Sequence, residues 1–142
     1  MRFKPLIVGL AAAALALPAT TTAKGPPPKQ GPGCKPNVTI ILKGTLTTDP
    51  GVGAPSFGMD VTGANKHGKS LVTKPTATNV TITVNSSTKI RRDGKKTVDA
   101  LALGDRAVVR IMRCKADLPL TTSTVGDVAA SRVTAHPPLK KS

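Results

Sequence analysis

Residues 38–46 read VTIILKGTL, a stretch in which apolar and polar residues largely alternate. One side carries Val38, Ile40, Leu42 and Leu46, and the other carries Thr39, Lys43 and Thr45. Only Ile41 departs from this pattern. A period of two residues is typical of a β-strand with one buried and one exposed face, so this stretch predicts such a strand.

The same alternation recurs further along the chain, in residues 57–62, 80–85 and 106–111, and residues 128–135 give a last candidate strand. Clusters of Gly, Pro, Asn and Asp separate these stretches, and no helical pattern follows the N-terminal region. The sequence therefore predicts an all-β domain over residues 34–135, built as a small antiparallel β-barrel or barrel-like sandwich that could be OB-like. Residues 136–142 are expected to form a disordered tail.

Asp93-Gly94 is a strong signal for a two-residue turn, which predicts a hairpin with arms at residues 89–92 and 95–98. Five cations flank this turn: Lys89, Arg91, Arg92, Lys95 and Lys96. One interpretation is a solvated tip whose charges protect a strand edge from aggregation. The other is an anion-binding site, in which a phosphate or carboxylate relieves the repulsion between neighbouring cations.

The N-terminal region has the composition of a cleavable, bacterial-type signal peptide. Arg2 and Lys4 precede an apolar run over residues 6–17, and small residues lead to a cleavage site after Ala23. The alternative, a membrane anchor, needs about 20 apolar residues, and this run is shorter. We therefore expect a signal peptide at residues 1–23, a Pro/Gly-rich linker at residues 24–33, no transmembrane span in the mature chain, and a secreted or envelope-associated protein.

Cys34 and Cys114 are the only cysteines. In an exported chain an isolated pair predicts a disulfide, which closes a long loop and contributes about 4–5 kcal/mol in the chain-entropy account. The alternative, a zinc site, normally needs four ligands, and no histidine lies close to either cysteine in sequence.

The chain carries a net charge of +14, with 21 Lys and Arg against seven acids, all of them Asp. Such a charge attracts polyanions, including cell-envelope polymers, anionic lipid and nucleic acid. Single-stranded nucleic acid is normally bound by stacking on aromatic side chains, and Phe57 is the only aromatic residue after the signal peptide. Nucleic acid is therefore the less favoured partner.

Residues 63–70, GANKHGKS, fit the phosphate-loop pattern, in which backbone amides and a lysine hold nucleotide phosphates. Pro75 follows too soon for the helix that this motif requires, so we interpret the match as accidental and expect a flexible loop and no cofactor. The histidines, His67 and His136, lie in a predicted loop and in the tail. A catalytic base needs a rigid setting, so the sequence favours a protein that is not an enzyme.

Three short segments carry a resemblance: residues 87–90 (STKI), 103–109 (LGDRAVV) and 130–133 (ASRV). Their succession resembles that of small exported bacterial β domains of unknown function, although Ala107 stands where the pattern prefers valine. The resemblance covers about residues 38–135, implies a compact β-barrel and carries no function.

From the residues we expect an exported, non-enzymatic domain that associates with anionic envelope or extracellular material. An OB-like nucleic-acid-binding module is the first alternative, and a secreted enzyme is the second.

Overall fold

A computed structural model of the chain describes residues 33–140. The predicted signal peptide and residues 24–32 of the predicted linker lie outside the described residues. The described part is β-rich, with six strands and four three-residue 3-10 helices. The strands are β1 (Asn37–Leu46), β2 (Ser56–Ala64), β3 (Thr78–Thr83), β4 (Lys89–Arg92), β5 (Arg106–Cys114) and β6 (Arg132–His136).

The six strands form one mixed sheet in the order β3-β2-β1-β5-β6-β4. All neighbouring pairs are antiparallel except β4 and β6, which run parallel. The long strand β1 lies near the centre and pairs along most of its length with β5, from Asn37↔Cys114 to Thr45↔Arg106. The alternating stretches of the sequence thus become the strands that it predicts, and the all-β class is confirmed.

The inward side chains of the six strands pack into one hydrophobic cluster, to which the connections add Leu71, Leu101, Leu120 and Val125. Ile40, Leu42, Met59, Ile82 and Val109 are fully buried within it. Phe57 is the sole aromatic residue of this core, which is otherwise built from aliphatic side chains and Met.

The sheet is not closed into a barrel, which corrects the sequence-based expectation of a barrel. Closure would require the edge strands β3 and β4 to pair with each other. The edge of β3 instead contacts the connection before β6, where the Ala130 amide donates to the Thr83 carbonyl (2.8 Å) and the Thr83 hydroxyl donates to the Gly126 carbonyl (2.6 Å). A loop that covers the edge of a sheet prevents further strands from pairing with it, and closing the sheet into a barrel would have the same effect.

The predicted turn at Asp93-Gly94 is confirmed, but the predicted hairpin extends over a single pair of residues, Arg92 and Lys95. Both turn residues have positive φ, and Arg92 and Lys95 exchange two backbone hydrogen bonds. The second arm ends there, since residues 96 and 97 lie outside any strand and a 3-10 helix follows at Val98–Ala100. The first arm, β4, pairs with β6, which places Ile90 beside the fully buried Val133.

Cys34 and Cys114 form the predicted disulfide, with their Cα atoms 5.8 Å apart. The bond ties the residues just before β1 to the end of β5, the strand with which β1 pairs. The last strand is shorter than predicted at its start and reaches His136, one residue into the predicted tail.

Candidate anion-binding face

The five cations predicted around the turn do not share one environment. Lys89 and Arg91 alternate with the buried Ile90 along β4, and their side chains are exposed. Lys95 and Lys96 are exposed in the turn and in the segment after it. Arg92 is half-buried and lies on the same side of β4 as Ile90.

The Arg92 guanidinium is held by the carboxylate of Asp105, which is fully buried. Nε donates to Oδ2 at 2.5 Å and a terminal nitrogen donates to Oδ1 at 3.0 Å, a two-point contact that the planar guanidinium favours. The Ala102 amide donates to the same carboxylate (2.9 Å), and the pairing raises the pKa of Arg92. The charge of Arg92 is therefore neutralised by Asp105 within the protein. The other four predicted cations face solvent.

The Gly-Asp pair before β5 places this carboxylate. Gly104 has φ +84°, a conformation that residues with a Cβ rarely adopt, and its amide donates to the Leu46 carbonyl. The chain then turns inward at Asp105 and enters β5. The Gly104-Asp105 pair of residues 103–109 thus has a structural role in this chain.

Strand pairing brings together three cations that are distant in sequence. Arg132 on β6 lies directly opposite Arg110 on β5 and opposite Lys89 on β4. All three side chains are exposed, and directly paired residues have Cα atoms about 5 Å apart. We call these three residues the cationic row.

No carboxylate neutralises the row within residues 33–140. The two ion pairs in this range are Arg92 with Asp105 and Arg113 with Asp127, the latter at 3.9 Å. Like charges placed directly opposite each other on a sheet are destabilising. The row is therefore a concentration of positive charge that the described residues leave uncompensated.

The row belongs to a larger surface, the outer face of β1, β5, β6 and β4. Arg106 lies four residues before Arg110 on β5, Lys43 is opposite Val108, and Arg91 is opposite Thr134. We call this surface the cationic face, and it consists of Lys43, Lys89, Arg91, Arg106, Arg110 and Arg132, all exposed.

Sequence reasoning identified Lys89 and Arg91 but missed Arg106, Arg110 and Arg132. A signal was present in residues 106–113, RAVVRIMR, where the arginines at 106 and 110 alternate with residues that the core requires. Cations that are close together in sequence suggest a cluster directly, whereas the row forms only through the pairing of three strands.

An open cavity of about 720 Å³ borders the row and includes all three of its side chains in its lining. The connection between β3 and β4 supplies Asn85 and Ser87, β1 supplies Thr39, and Met112 of β5 adds an apolar surface. The Ser87 amide donates to Asn85 Oδ1 (2.9 Å), and the Thr88 hydroxyl donates to the Ala130 carbonyl (2.7 Å). The first bond closes a turn within this connection, and the second ties the connection to the segment before β6.

The phosphate-loop match at residues 63–70 covers the end of β2, the turn after it and the first two residues of the three-residue 3-10 helix Lys69–Leu71. Asn65 holds this turn: its amide group donates to the Thr39 carbonyl (2.8 Å), and its Oδ1 accepts from the amides of Ile41 and Gly68. A Cβ on Gly68 would lie 2.8 Å from a methyl of Leu42. The glycine and the asparagine of the match therefore serve packing, and the segment is a hydrogen-bonded turn where the sequence predicted a flexible loop.

Within residues 33–140, no three His, Cys, Asp or Glu side chains come close enough together to hold a metal ion. No helix in that range has the length and apolar character needed to cross a bilayer. His67 lies in the turn after β2, and His136 lies at the end of β6 opposite Arg106.

Comparisons of the chain with protein-family models, with curated proteins and with solved structures find no match.

Proposed function

We propose that this chain is an exported, non-enzymatic β domain that associates with anionic material of the cell envelope or its surroundings through the cationic face. The observation that carries the proposal is the pairing of Arg110, Arg132 and Lys89, which no carboxylate of residues 33–140 neutralises. Clustered charge of one sign attracts a polymer of the opposite sign and is relieved by it.

Export is part of this proposal and has separate support. The signal-like N-terminal pattern is one line, and the disulfide between Cys34 and Cys114 is another, because such bonds persist in oxidising compartments. Outside the cytoplasm, the polyanions that a basic domain meets are chiefly envelope and extracellular polymers.

The alternative is an OB-like domain that binds nucleic acid, which the positive charge permits. Nothing on the cationic face favours this alternative, since Phe57 is buried and the face offers no aromatic side chain within residues 33–140. A secreted enzyme is the third candidate.

The test compares two variants that lose the same charge at different places. The face variant changes Lys43, Arg106, Arg110 and Arg132 to Gln, and the loop variant changes Lys66, Lys69, Lys74 and Lys115 to Gln. None of the four loop lysines lies in a strand. Each protein is applied at low salt to an immobilised anionic polymer and eluted with a salt gradient.

We expect the parent to be retained, the loop variant to elute slightly earlier, and the face variant to elute far earlier, because surface attraction is screened by salt. Equal elution of the two variants would show that net charge alone is responsible and that the face is not the site. Failure of the parent to bind any anionic polymer would refute the proposed function. Cleavage of the polymer would favour the secreted enzyme, and stronger retention on single-stranded DNA would favour the nucleic-acid alternative.

A further inference from the structure

We propose that the cavity beside the cationic row is a discrete binding site for a phosphate group carried by a hydroxylated unit, such as a polyol phosphate or sugar phosphate of a polymer. This inference rests on the proposed function and deepens it. It assigns to one part of the cationic face a defined ligand class, beyond general attraction to polyanions.

The first argument is the number of cations that meet at one place. Three cationic side chains from three adjacent strands line the same cavity. A single carboxylate offers two oxygens in one plane and matches one guanidinium. A phosphodiester arranges two charged oxygens and two ester oxygens as a tetrahedron, so Arg110 and Arg132 can donate to different oxygens from different sides while Lys89 contributes a point charge.

The second argument is the polar lining opposite the cations. The side-chain oxygen of Asn85 accepts a hydrogen bond from the Ser87 amide, and its amide nitrogen donates to no protein atom within the described residues. The hydroxyls of Ser87 and Thr39 likewise make no hydrogen bond to residues 33–140. Neutral donors and acceptors of this kind suit hydroxyl groups, which a polyol or a sugar supplies next to its phosphate.

The third argument concerns size and the absence of stacking surfaces. A volume of about 720 Å³ lies within the range of small-molecule sites, so it can hold one repeating unit of a polymer. The apolar part of the lining comes from Met112, Ala129 and Ala130, and none of them offers an aromatic plane for a nucleobase. The cavity therefore favours a polyol or sugar phosphate over a nucleotide.

The experiment measures the affinity of the intact, disulfide-bonded chain for four probes at equal ionic strength. They are poly(glycerol phosphate), a polyuronate as the carboxylate polymer, single-stranded DNA, and inorganic phosphate. Arg132→Gln removes the centre of the row. Arg106→Gln is its matched control, since it removes the same charge from the same face at a position that does not line the cavity.

A third variant, Ser87→Leu, fills the cavity and leaves every charge in place. Ser87 is exposed, and its contact with Asn85 uses its backbone amide, so the substitution preserves the local fold.

We expect poly(glycerol phosphate) to bind most tightly. Arg132→Gln should weaken this binding about ten-fold or more, the scale of a lost charge-assisted hydrogen bond, and Ser87→Leu should also weaken it clearly. Arg106→Gln should weaken it only about two- to three-fold. Inorganic phosphate that competes with the polymer would show that the phosphate group is recognised, and its failure to compete even at high concentration would contradict the assignment.

Equal affinity for the phosphate and carboxylate polymers, with Arg106→Gln as damaging as Arg132→Gln, would overturn the discrete site. It would leave the proposed function standing, because the face would still attract polyanions. Tighter binding of single-stranded DNA that is lost in Arg132→Gln would overturn the ligand class. If none of the polymers binds, the proposed function fails together with this inference.

Discussion

Replacing Arg92 by Met should destabilise the domain strongly, because it leaves the Asp105 carboxylate buried without its ionic partner. Asp105 is fully buried and depends on two hydrogen bonds from Arg92 and one from the Ala102 amide. Methionine keeps much of the apolar stem of the side chain, so the change mainly removes the charge and the two donors. The remaining amide bond cannot compensate for the lost guanidinium.

The size of the effect follows from the burial of the pair. Removing one partner of a buried ion pair costs about 3–5 kcal/mol. The Arg92 side chain retains 21% exposure, through which water can reach the pair, so we expect the lower end, about 3 kcal/mol. For a domain of this size each kcal/mol lowers Tm by about 4–8 °C, which gives a fall of about 12 °C or more.

Thermal melts followed by circular dichroism measure this fall, and Arg91→Met is the matched control. Arg91 is next to Arg92 on β4 but exposed on the outer face, so its replacement should change stability by no more than about 0.5 kcal/mol. Adding Asp105→Asn to Arg92→Met should recover part of the loss, since no buried charge then remains. Melting of Arg92→Met within about 2 °C of Arg91→Met would refute this reasoning.

The charge of Arg92 should persist over the pH range in which proteins are usually studied. Its pKa is raised by the hydrogen bond and charge of Asp105. A raised pKa in the folded state gives stabilisation that is fully present below the unfolded-state pKa and is lost only as the pH rises through the folded-state value. Both values are strongly alkaline for arginine, so Arg92 stays protonated from pH 6 to pH 9 and its own ionisation should add no pH dependence to the stability of the parent over that range.

Four further expectations follow from the structure. Reduction of the bond between Cys34 and Cys114 should lower Tm by more than about 10 °C, since a loop with sequence separation 80 is worth about 4–5 kcal/mol; an unchanged melt after verified reduction would contradict this. Arg132→Thr should raise Tm in the absence of ligand, because it removes two opposed like-charge pairs worth about 0.2–1 kcal/mol each, and a lower Tm would argue against repulsion in the row. Gly44→Ala should unfold or strongly destabilise the domain, because the added Cβ would overlap the Asp60 carbonyl at the bulge between β1 and β2, which a urea titration would reveal. Lys69→Ala should leave polymer retention unchanged, and calorimetry with ATP and magnesium should show no binding to the parent or to this variant. Micromolar ATP binding to the parent that disappears in Lys69→Ala would restore the nucleotide interpretation.

Local patterns in the sequence were sufficient to predict the strands and the turn at Asp93-Gly94. The alternation in residues 38–46 survives in β1, although the register with β2 shifts at Lys43/Gly44. Asp93-Gly94 adopts the two positive φ values that its residue types favour. Periodicity and turn chemistry act over a few residues, so a single sequence carries them directly.

Long-range pairing could not be read in the same way. The hairpin prediction assumed that the residues after the tight turn continue as a strand, whereas only Lys95 pairs back with Arg92 and a 3-10 helix follows at Val98–Ala100. The pairing of β4 with β6, which places Ile90 opposite Val133, has no local signal in the sequence. The same limit applies to sheet closure, because alternation shows which side chains face the core but not which edges meet.

The candidate site depends on that long-range pairing, which explains why only some of its residues were predicted from the sequence. Lys89 and Arg91 were found because they lie near other cations in sequence. Arg110 and Arg132 join them only through the register of β5, β6 and β4, and Arg92 leaves the set because alternation turns it toward Asp105. The inward position of Arg92 could have been predicted, because in a strand it lies on the same side as Ile90, two residues before it.

An NMR titration of the isotope-labelled chain with poly(glycerol phosphate) tests the central claim most directly, because it locates bound anionic polymer residue by residue. Our account predicts that the largest chemical-shift changes fall on Arg110, Arg132 and Lys89 and on the connection at Asn85 and Ser87, with smaller changes elsewhere on the cationic face. Changes concentrated at Lys95 and Lys96 in the turn, or spread evenly over all exposed lysines and arginines, would contradict it.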